Sequence, residues 1–461
     1  MELRGRRALV IGAGRTGVAT SRVLARRGTR VRLVDRRPTG PDARALETLG
    51  SDIELRLGDE SPALLAGVDL VVPSPGVPAT SPLLAEAVAR GLEVVSEIEV
   101  AANLLKCPIV AVTGTNGKST TTTLIGEMLA ASGEHVFVGG NLGTPLIEAV
   151  EGSWAVAVAE VSSFQLEWVH GFRPAVAGLL NLSPDHLDRH GSMAAYAAAK
   201  ARIFAAQEET DVAVLNRDDP AVWELRTGLR GRVVSIGFRR DAFTCGAFLQ
   251  GGEIVYRDAT GEVRFTLAGT RLEGRHHLED VMAALSAARL CGASPAAIQS
   301  VLDSFPGLPH RCELVHEARG VRYYDDSKAT NVGAVVKALH SFPGRVVLLA
   351  GGLDKGGDFT ALRPIVAERV RLVVAYGVAR GRIREGLGDA VPVECVESFS
   401  DAVRKSVEAA KSGDVVLLSP ACASFDQFVD YAERGTTFRI LVGGGALAAP
   451  TGPSPPGGGC R

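Results

Sequence analysis

Short apolar runs rich in valine, leucine and isoleucine recur along the chain, and most are followed by a glycine turn and a stretch with helical periodicity. Apolar runs without polar alternation are typical of buried parallel strands. Strands that alternate with helices predict parallel α/β sheets covered on both faces. The runs that carry this prediction are residues 8–11, 31–34, 70–72, 109–112, 156–159, 212–215, 345–349, 372–375 and 415–418.

The runs form three series, and each series begins near a glycine-rich turn. We therefore predict a Rossmann-like domain over residues 1–95, a central P-loop ATPase-like domain over 96–307, and a second Rossmann-like domain over 308–445. Between residues 232 and 272 the pattern changes to short strands with glycine turns, which predicts a small antiparallel element. The tail, residues 446–461, is rich in proline and glycine and is predicted to be disordered.

Composition narrows the classes of function. The 461 residues are 46% hydrophobic and 22% charged, with a net charge of −2, so bulk charge does not favour nucleic acid or an anionic membrane as a partner. No apolar run approaches the ~18–20 residues of a membrane span, and the N-terminus lacks a signal-peptide layout. The seven cysteines include no Cys-x-x-Cys pair, which argues against a zinc site and favours a reducing, cytoplasmic compartment.

A glycine loop between a strand and a helix is the strongest chemical signal. Residues 109–112 predict the strand, and the helix is predicted over 120–131. Backbone N–H groups of such a loop converge on phosphate oxygens, while Lys118 reaches the β- and γ-phosphates and the Ser119 hydroxyl binds Mg²⁺. Val112 stands where the standard loop has its first glycine, so an ordinary strand–turn–helix is the alternative. The predicted ATP contacts here are Gly114, Thr115, Asn116, Gly117, Lys118, Ser119 and Thr120.

Two further groups follow strand ends. Glu160 ends one predicted strand, and His186 follows the next strand along the chain. Ligands of open α/β sheets gather at the carboxyl ends of strands, and Mg²⁺ near ATP needs a carboxylate, which Glu160 supplies. A strand-end ion pair for Glu160 and a helix cap for His186 are the alternatives. A lone lysine on an alanine-rich helix, such as Lys200, is usually solvated.

The first domain carries a Gly-x-Gly-x-x-Gly turn at Gly12, Gly14 and Gly17, and Asp35 ends the second strand. This fingerprint is typical of dinucleotide binding, with the aspartate on a ribose hydroxyl. An NAD-dependent oxidoreductase is therefore an alternative function, although it leaves the Lys118 loop unexplained.

Taken together, residues 113–120, 160–165, 185–188 and Lys200 resemble the Mur ligases of peptidoglycan synthesis and their folylpolyglutamate synthase relatives. The resemblance implies a three-domain enzyme in which ATP phosphorylates a substrate carboxylate and an amino acid's amine attacks the acyl phosphate. It also implies catalytic roles for Lys118, Glu160, His186 and Lys200. Two Mg²⁺ ions are expected, with ligands from Ser119, Glu160, His186 and a carbamate on Lys200.

In these ligases the glycine turn of the first domain holds the uridine diphosphate of a sugar substrate, and residues 74–78 form a second family signature. The implied contacts with this substrate are Gly14, Arg15, Thr16, Asp35, Arg36, Ser74, Asn141 and His186. Arg36 stands where a small polar residue is expected. His277 and Asp280 stand where the family has two asparagines that contact adenine, so the donor pattern there is altered.

The last domain repeats family motifs at residues 308–313, 326–331 and 351–356, while 418–428 is most similar to the members that add D-glutamate. The resemblance implies that Arg311 and Asp326 contact ATP. It implies that D-glutamate is held by Thr330, Lys355, Ser424 and Tyr431.

We therefore expect a monomeric ligase that uses ATP to add D-glutamate to UDP-N-acetylmuramoyl-L-alanine. Another ligase of the same family, adding L-alanine or a diamino acid, is the alternative. A diamino-acid enzyme should carry an Asn-Pro-Arg motif in the last domain, and the sequence has none.

Overall fold

The computed structural model of the chain describes residues 1–39, 46–47, 49–240, 245–270, 272, 274–342 and 344–444. Two compact units divide it, Met1–Pro306 and Gly307–Arg461. The predicted tail, residues 446–461, lies outside the described residues. Within these residues no helix combines the length and the apolar character that crossing a membrane requires.

The first unit begins with a five-stranded, all-parallel sheet in the order β3-β2-β1-β4-β5. Its central strand β1 is buried except at its first residue, as expected for a strand covered on both faces. The strands are β1 (Arg7–Ile11), β2 (Arg30–Asp35), β3 (Ile53–Leu57), β4 (Leu70–Pro73) and β5 (Glu93–Val94). The helices are α1 (Arg15–Arg26), α2 (Pro82–Ala89) and α3 (Glu97–Leu104).

A nine-stranded sheet follows in the same unit, in the order β14-β13-β12-β11-β10-β9-β6-β8-β7. Its strands are β6 (Ile109–Thr113), β7 (Val136–Gly140), β8 (Val156–Glu160), β9 (Val176–Leu179), β10 (Val212–Asn216), β11 (Arg232–Gly237), β12 (Gly246–Gln250), β13 (Glu253–Asp258) and β14 (Gly261–Thr266). Its helices are α4 (Lys118–Ala131), α5 (Ser163–Leu166), α6 (Leu187–His190), α7 (Met193–Ala201), α8 (Pro220–Glu224), α9 (Arg275–Leu290) and α10 (Pro295–Ser304). One apolar cluster joins the two sheets, from Leu3 to Val222, which explains why both belong to one compact unit.

The second unit contains a six-stranded sheet in the order β15-β16-β20-β17-β18-β19. All its pairings are parallel except that of β15 with β16. Its strands are β15 (Glu313–Ala318), β16 (Val321–Asp325), β17 (Val346–Gly351), β18 (Val370–Tyr376), β19 (Val393–Cys395) and β20 (Val415–Ala421). Its helices are α11 (Val332–His340), α12 (Arg363–Arg369), α13 (Arg380–Leu387), α14 (Phe399–Ala409) and α15 (Tyr431–Gly444).

Short 3₁₀ helices connect several of these elements. They span Pro62–Leu65, Leu146–Glu151, Arg202–Phe204, Leu225–Gly228, Phe359–Leu362 and Gly388–Ala390.

The α/β class and all nine predicted strands are confirmed. Two details differ from the sequence predictions. The antiparallel element predicted over 232–272 is shorter than predicted and is not separate: β11 at its start pairs in parallel with β10 and β12, so only the β12–β13 and β13–β14 pairs are antiparallel, and they extend the nine-stranded sheet. The phosphate-loop helix begins at Lys118, two residues earlier than predicted, because the left-handed Gly117 forms its N-cap.

Candidate active site

The glycine loop connects β6 to α4 at the carboxyl edge of the nine-stranded sheet. Gly117 has a φ of 87°, which a residue with a Cβ rarely adopts, and a Cβ at this position would lie 2.0 Å from an oxygen of Asp280. The Lys118 Nζ donates to the carbonyls of Gly114 and Thr115, both at 2.9 Å. The loop is therefore folded around its own lysine at the N-terminus of α4, the end of a helix that favours anions.

Asn181, directly after β9, braces this loop. Its side-chain oxygen accepts from the Asn116 N–H at 2.9 Å, and its side-chain amide donates to the Asn116 carbonyl at 3.1 Å. Its carbonyl also accepts from the Thr115 N–H at 2.9 Å. Sequence reasoning missed this role, and the only signal for it was an asparagine at the end of a predicted strand.

Glu160, at the end of β8, lies next to the start of α4. Its side chain is buried, and its two oxygens accept hydrogen bonds from the Ser119 hydroxyl at 2.5 Å and from the Asn141 amide at 2.7 Å. The structure thus brings together two oxygen donors of the kind that Mg²⁺ prefers, Ser119 Oγ and Glu160 Oε2.

Lys200, on α7, is buried with 1% of its surface exposed, contrary to the usual position of a lone lysine on an alanine-rich helix. Its Nζ donates to the Gly114 carbonyl at 2.8 Å and to the Thr113 hydroxyl at 3.4 Å. Burial, and then the positive charge of Lys118, lower the pKa of the Lys200 amine well below its ordinary value. The environment of Lys200 therefore shifts the protonation equilibrium of this amine towards the neutral form, relative to an exposed lysine.

His186 forms the N-cap of α6 with a φ of 54°, an uncommon left-handed conformation for a histidine. Its ring packs edge-on against Phe164, with centroids 4.8 Å apart, and its Nε2 lies 3.7 Å from a carboxylate oxygen of Asp185. Residues held in such a sparsely populated backbone region are often functional, which keeps His186 a candidate site residue.

The remaining residues of this unit that are predicted to contact ATP lie on α4 and α9. Thr120 is buried in the first turn of α4. Asp280, also buried, lies against Gly117, so it is close to the phosphate loop itself. The His277 ring lies beside that of His276, with centroids 4.0 Å apart. The adenine contacts implied for His277 and Asp280 stay predictions.

A cleft of about 770 Å³ opens at the carboxyl edge of the first sheet and also reaches the end of β7. Seven of the eight residues implied for the sugar nucleotide line it together: Gly14, Arg15, Thr16, Asp35, Arg36, Ser74 and Asn141. The eighth, His186, is not among the lining residues of this cleft.

The glycine turn of the first sheet is closely packed. A Cβ on Gly17 would lie 1.9 Å from the Gly12 carbonyl oxygen, and one on Gly12 would lie 2.9 Å from the Ser74 side chain. The Ser74 hydroxyl donates to the same Gly12 carbonyl at 3.0 Å. Gly12 and Gly17 are thus required by close contacts with the turn itself and with Ser74.

Asp35 is already paired in this cleft. One oxygen accepts from the Ala13 N–H at 2.9 Å, and the other accepts from the N–H and Nε of Arg37 at 2.9 and 3.0 Å. Burial acts to raise the pKa of Asp35, but the hydrogen bonds and the charge of Arg37 outweigh it and lower that pKa. Arg37 makes Asp35 less available to a ribose diol than in a dinucleotide site, which weakens the oxidoreductase alternative.

Arg37 and Gln165 were missed by sequence reasoning, and both line the cleft. Arg37 lies two residues beyond the expected aspartate. The buried Gln165 ends the 160–165 segment and closes a capping box with Ser162, whose N–H donates to the Gln165 side-chain oxygen at 2.9 Å.

In the second unit, Asp326 follows β16 and is buried. Its oxygens accept from the Ser419 hydroxyl at 2.8 Å and from the Cys312 N–H at 3.3 Å. Burial raises the pKa of Asp326 to about 7, against the opposing charge of Arg311. Arg311 and Asp326 are therefore close enough to interact, as neighbouring ATP contacts would need to be.

The predicted D-glutamate residues also belong to the carboxyl edge of this sheet. Thr330 follows β16, Lys355 follows β17 and the buried Ser424 follows β20, and these three strands are neighbours. The Tyr431 carbonyl accepts from the Ser327 hydroxyl at 2.8 Å, and the fully buried Arg434 donates to the same hydroxyl at 2.9 Å. The segment around Ser327 and the start of α15 are therefore hydrogen-bonded to each other at this edge.

Comparison with known proteins places this architecture in a family. Three family models match, described as Mur ligase MurD-like N-terminal domain over residues 6–96, Mur ligase middle domain over 112–288, and Mur ligase glutamate ligase domain over 310–422. The UDP-N-acetylmuramoylalanine–D-glutamate ligase of Geobacter metallireducens is 48% identical over 96% of this chain and 98% of its own length. The ligase of the same name from Syntrophus aciditrophicus is 46% identical over 96% and 98%.

Solved structures agree at the level of the fold. A pseudomurein peptide ligase type C from Methanothermus fervidus matches with a TM-score of 0.62 and 20% identity, covering 95% of this chain and 99% of its own. A MurF ligase from Thermotoga maritima in complex with ADP matches with a TM-score of 0.59 and 18% identity, covering 96% of each chain. With three matching domains in order and nearly half of its residues shared with full-length members, the chain belongs to the Mur ligase family.

Proposed function

We propose that this protein adds D-glutamate to UDP-N-acetylmuramoyl-L-alanine at the expense of ATP, releasing ADP and phosphate. The observation that carries the proposal is the close approach of Ser119, Glu160 and Lys200 around the glycine loop of Lys118. The identity of 48% to a D-glutamate ligase over nearly the full length supports the choice of amino acid.

The chemistry has two steps. An oxygen of the substrate carboxylate attacks the γ-phosphorus of ATP, the bond to ADP breaks, and an acyl phosphate forms. The amine of D-glutamate then attacks the acyl carbon, and the tetrahedral intermediate loses phosphate and a proton to give the amide. In the first step Lys118, with the N–H groups at the start of α4, offsets the charge on the migrating phosphoryl group.

Mg²⁺ fits the donor set on this edge of the sheet. The Ser119 hydroxyl and the Glu160 carboxylate are buried oxygen donors in mutual contact, and His186 and Lys200 are the further proposed ligands, Lys200 as its carbamate. When bound there, up to two such ions would supply positive charge to the phosphates. A neutral, buried lysine amine is the form that adds carbon dioxide, so the lowered pKa of Lys200 supports this modification.

The sugar substrate is assigned to the 770 Å³ cleft. Thr16, Asp35, Arg36 and Ser74 would contact its uracil and diphosphate, with Gly14 and Arg15 of the glycine turn as further contacts. We call the Lys118 loop and the side chains around it, including Glu160, the phosphate centre. Asn141 links the cleft to this centre, because it lines the cleft and donates to Glu160. His186 would contact the same substrate near its reacting end.

In the second unit Thr330, Lys355, Ser424 and the backbone near Tyr431 are proposed to hold D-glutamate. A dicarboxylate needs cationic and hydroxyl donors, which these side chains provide. Arg311 and Asp326 are proposed to contact ATP.

The test is phosphate release measured with purified protein, ATP, Mg²⁺ and UDP-N-acetylmuramoyl-L-alanine, with D-glutamate, L-alanine or diaminopimelate as the amine. We expect turnover with D-glutamate alone. Equal turnover without any amino acid would mean that the protein is an ATPase and not a ligase. Preference for another amino acid would mean that it has the activity of a different member of the family.

A further inference from the structure

Arg189, on the short helix α6, connects the sugar-nucleotide cleft with the phosphate centre, although none of the roles above involves it. Its guanidinium makes four hydrogen bonds, and its side chain is only 13% exposed. An arginine whose guanidinium makes this many hydrogen bonds in a half-buried position is held in one orientation and holds its partners in place.

One half of this arrangement lies within the central domain. The Nε and Nη2 atoms of Arg189 donate to the two carboxylate oxygens of Glu167 at 3.0 and 2.5 Å. The guanidinium carbon also lies 4.0 Å from the centroid of the Phe164 ring. A bidentate ion pair and a cation–π contact together fix the plane of the guanidinium.

The other half reaches the first domain. Arg189 Nη1 donates to the Pro75 carbonyl at 2.9 Å, and Nη2 donates to the Val77 carbonyl at 3.1 Å. Pro75 and Val77 both line the sugar-nucleotide cleft. The guanidinium therefore holds the cleft wall against α6. His186, the N-cap of this helix, lies three residues before Arg189.

A series of ring contacts continues from this point to the phosphate loop. Phe164, which lies under Arg189, contacts the His186 ring at 4.8 Å and stacks on the His190 ring at 5.7 Å. The His190 ring lies 5.3 Å from that of Tyr196, whose hydroxyl donates to the Thr115 hydroxyl at 3.2 Å. Packed side chains thus connect the cleft wall with the glycine loop without interruption.

We propose that Arg189 is a positioning residue that sets the separation between the uridine diphosphate cleft and the phosphoryl-transfer centre. This inference rests on the proposed function, in which one substrate is held in the cleft while its carboxylate must reach ATP. The cleft and the phosphate centre are two half-sites of this substrate. Neither depends on Arg189 for the residues proposed to bind the ligand there. A change in the distance between the half-sites therefore affects only a substrate that spans both of them. Small displacements of reacting groups lower the reaction rate strongly.

The experiment compares Arg189→Met and Arg189→Lys with a matched control, Arg173→Met. Methionine keeps an unbranched apolar stem but removes every hydrogen bond, and lysine keeps the charge without the fork. Arg173 is also paired with carboxylates, at 2.6 Å from Asp211 and 2.7 Å from Glu208, but none of the three lines the cleft. Three quantities are measured: the Kd of UDP by calorimetry, the Kd of ATP, and kcat and KM for phosphate release with the complete substrate set.

For Arg189→Met we expect both Kd values to stay within about twofold of wild type, while kcat/KM for the sugar substrate falls by about 10- to 100-fold, mainly through kcat. Arg189→Lys should lie between Arg189→Met and wild type. Arg173→Met should match wild type in all three measurements. If Arg189→Met does not fold, the lysine variant and Glu167→Gln should show the same split between binding and rate. Glu167→Gln weakens the ion pair but leaves the donors to the Pro75 and Val77 carbonyls in place.

Unchanged kcat/KM in the Arg189 variants would overturn the inference. So would a loss of UDP affinity equal to the loss of kcat/KM, because Arg189 would then serve the cleft alone. These outcomes differ from failure of the proposed function, in which the wild-type protein itself releases no phosphate with D-glutamate, and the inference fails with it.

Discussion

Glu97, the first residue of α3, is a carboxylic acid that the fold keeps nearly free of water, with 1% of its surface exposed. Its oxygens accept from the Ile147 N–H at 2.7 Å and, at 3.5 Å, from the side-chain amide of Gln165 in the cleft. Burial raises the pKa of Glu97 from its ordinary value of 4.5 to about 7. We predict that Glu97→Gln gains stability relative to wild type as the pH rises from 5 to 8.5.

The sign follows from proton binding. Between pH 4.5 and about 7 the folded chain keeps a proton on Glu97 that the unfolded chain has lost, so the free energy of unfolding decreases as pH rises through this window. The decrease is complete above the folded pKa and amounts to ~3 kcal/mol at 1.36 kcal/mol for each pKa unit. Glutamine is neutral at every pH, so the variant avoids this decrease. Any difference between the hydrogen bonds of glutamine and those of the protonated acid changes the free energy of unfolding by the same amount at both pH values.

Urea unfolding followed by tryptophan fluorescence measures the effect. All three tryptophans, Trp154, Trp168 and Trp223, belong to the first unit, so their signal reports on the unit that contains Glu97. With a urea slope of ~2–3 kcal/mol/M, the midpoint of Glu97→Gln relative to wild type should rise by ~1 M between pH 5 and pH 8.5. Glu209→Gln removes the same charge from an exposed position and serves as the control. A midpoint difference that is identical at the two pH values, or that the control reproduces, would refute the role of burial.

Three further outcomes are expected. Lys118→Ala should abolish phosphate release while circular dichroism and tryptophan fluorescence stay those of wild type; near-normal turnover would remove the lysine from phosphoryl transfer. Lys200→Ala should lose activity and regain part of it with added short-chain carboxylic acids, which can replace a carbamate; activity unaffected by the mutation would rule the carbamate out. Gly17→Ala should weaken UDP binding in calorimetry by at least ~10-fold and lower the thermal midpoint, because the new Cβ would lie 1.9 Å from the Gly12 carbonyl; normal UDP affinity would show that the turn relaxes freely.

Local pattern was enough to predict most of the fold and the outline of the site. The nine apolar runs became strands because buried parallel strands need little beyond uninterrupted apolar side chains. The glycine loop, the glycine turn of the first sheet and Asp35 were predictable because each follows a strand, and the carboxyl ends of parallel strands meet at one edge. The assignments of Arg36, Ser74 and Asn141 came from the family resemblance, and Arg37 and Gln165 were not predicted.

The remaining features depend on partners that are distant in sequence. Asn181 braces a loop 65 residues away, and Arg189 reaches carbonyls 112 and 114 residues away. Periodicity could not predict that Lys200 is buried, because an alanine-rich helix offers no polar face to contrast with it. The strands β12–β14 were predicted as antiparallel, but their attachment to β11 depends on a parallel pairing that no local pattern encodes.

The three hydrogen bonds between Asn181 and residues 115 and 116 have a thermodynamic consequence for the proposed nucleotide binding. They fix the loop when the chain folds, so the conformational entropy of these residues is lost at folding and not when ATP arrives. Removing the amide with Asn181→Ala would transfer that ordering to the binding step, and the enthalpy and entropy of ATP association should then both become more negative.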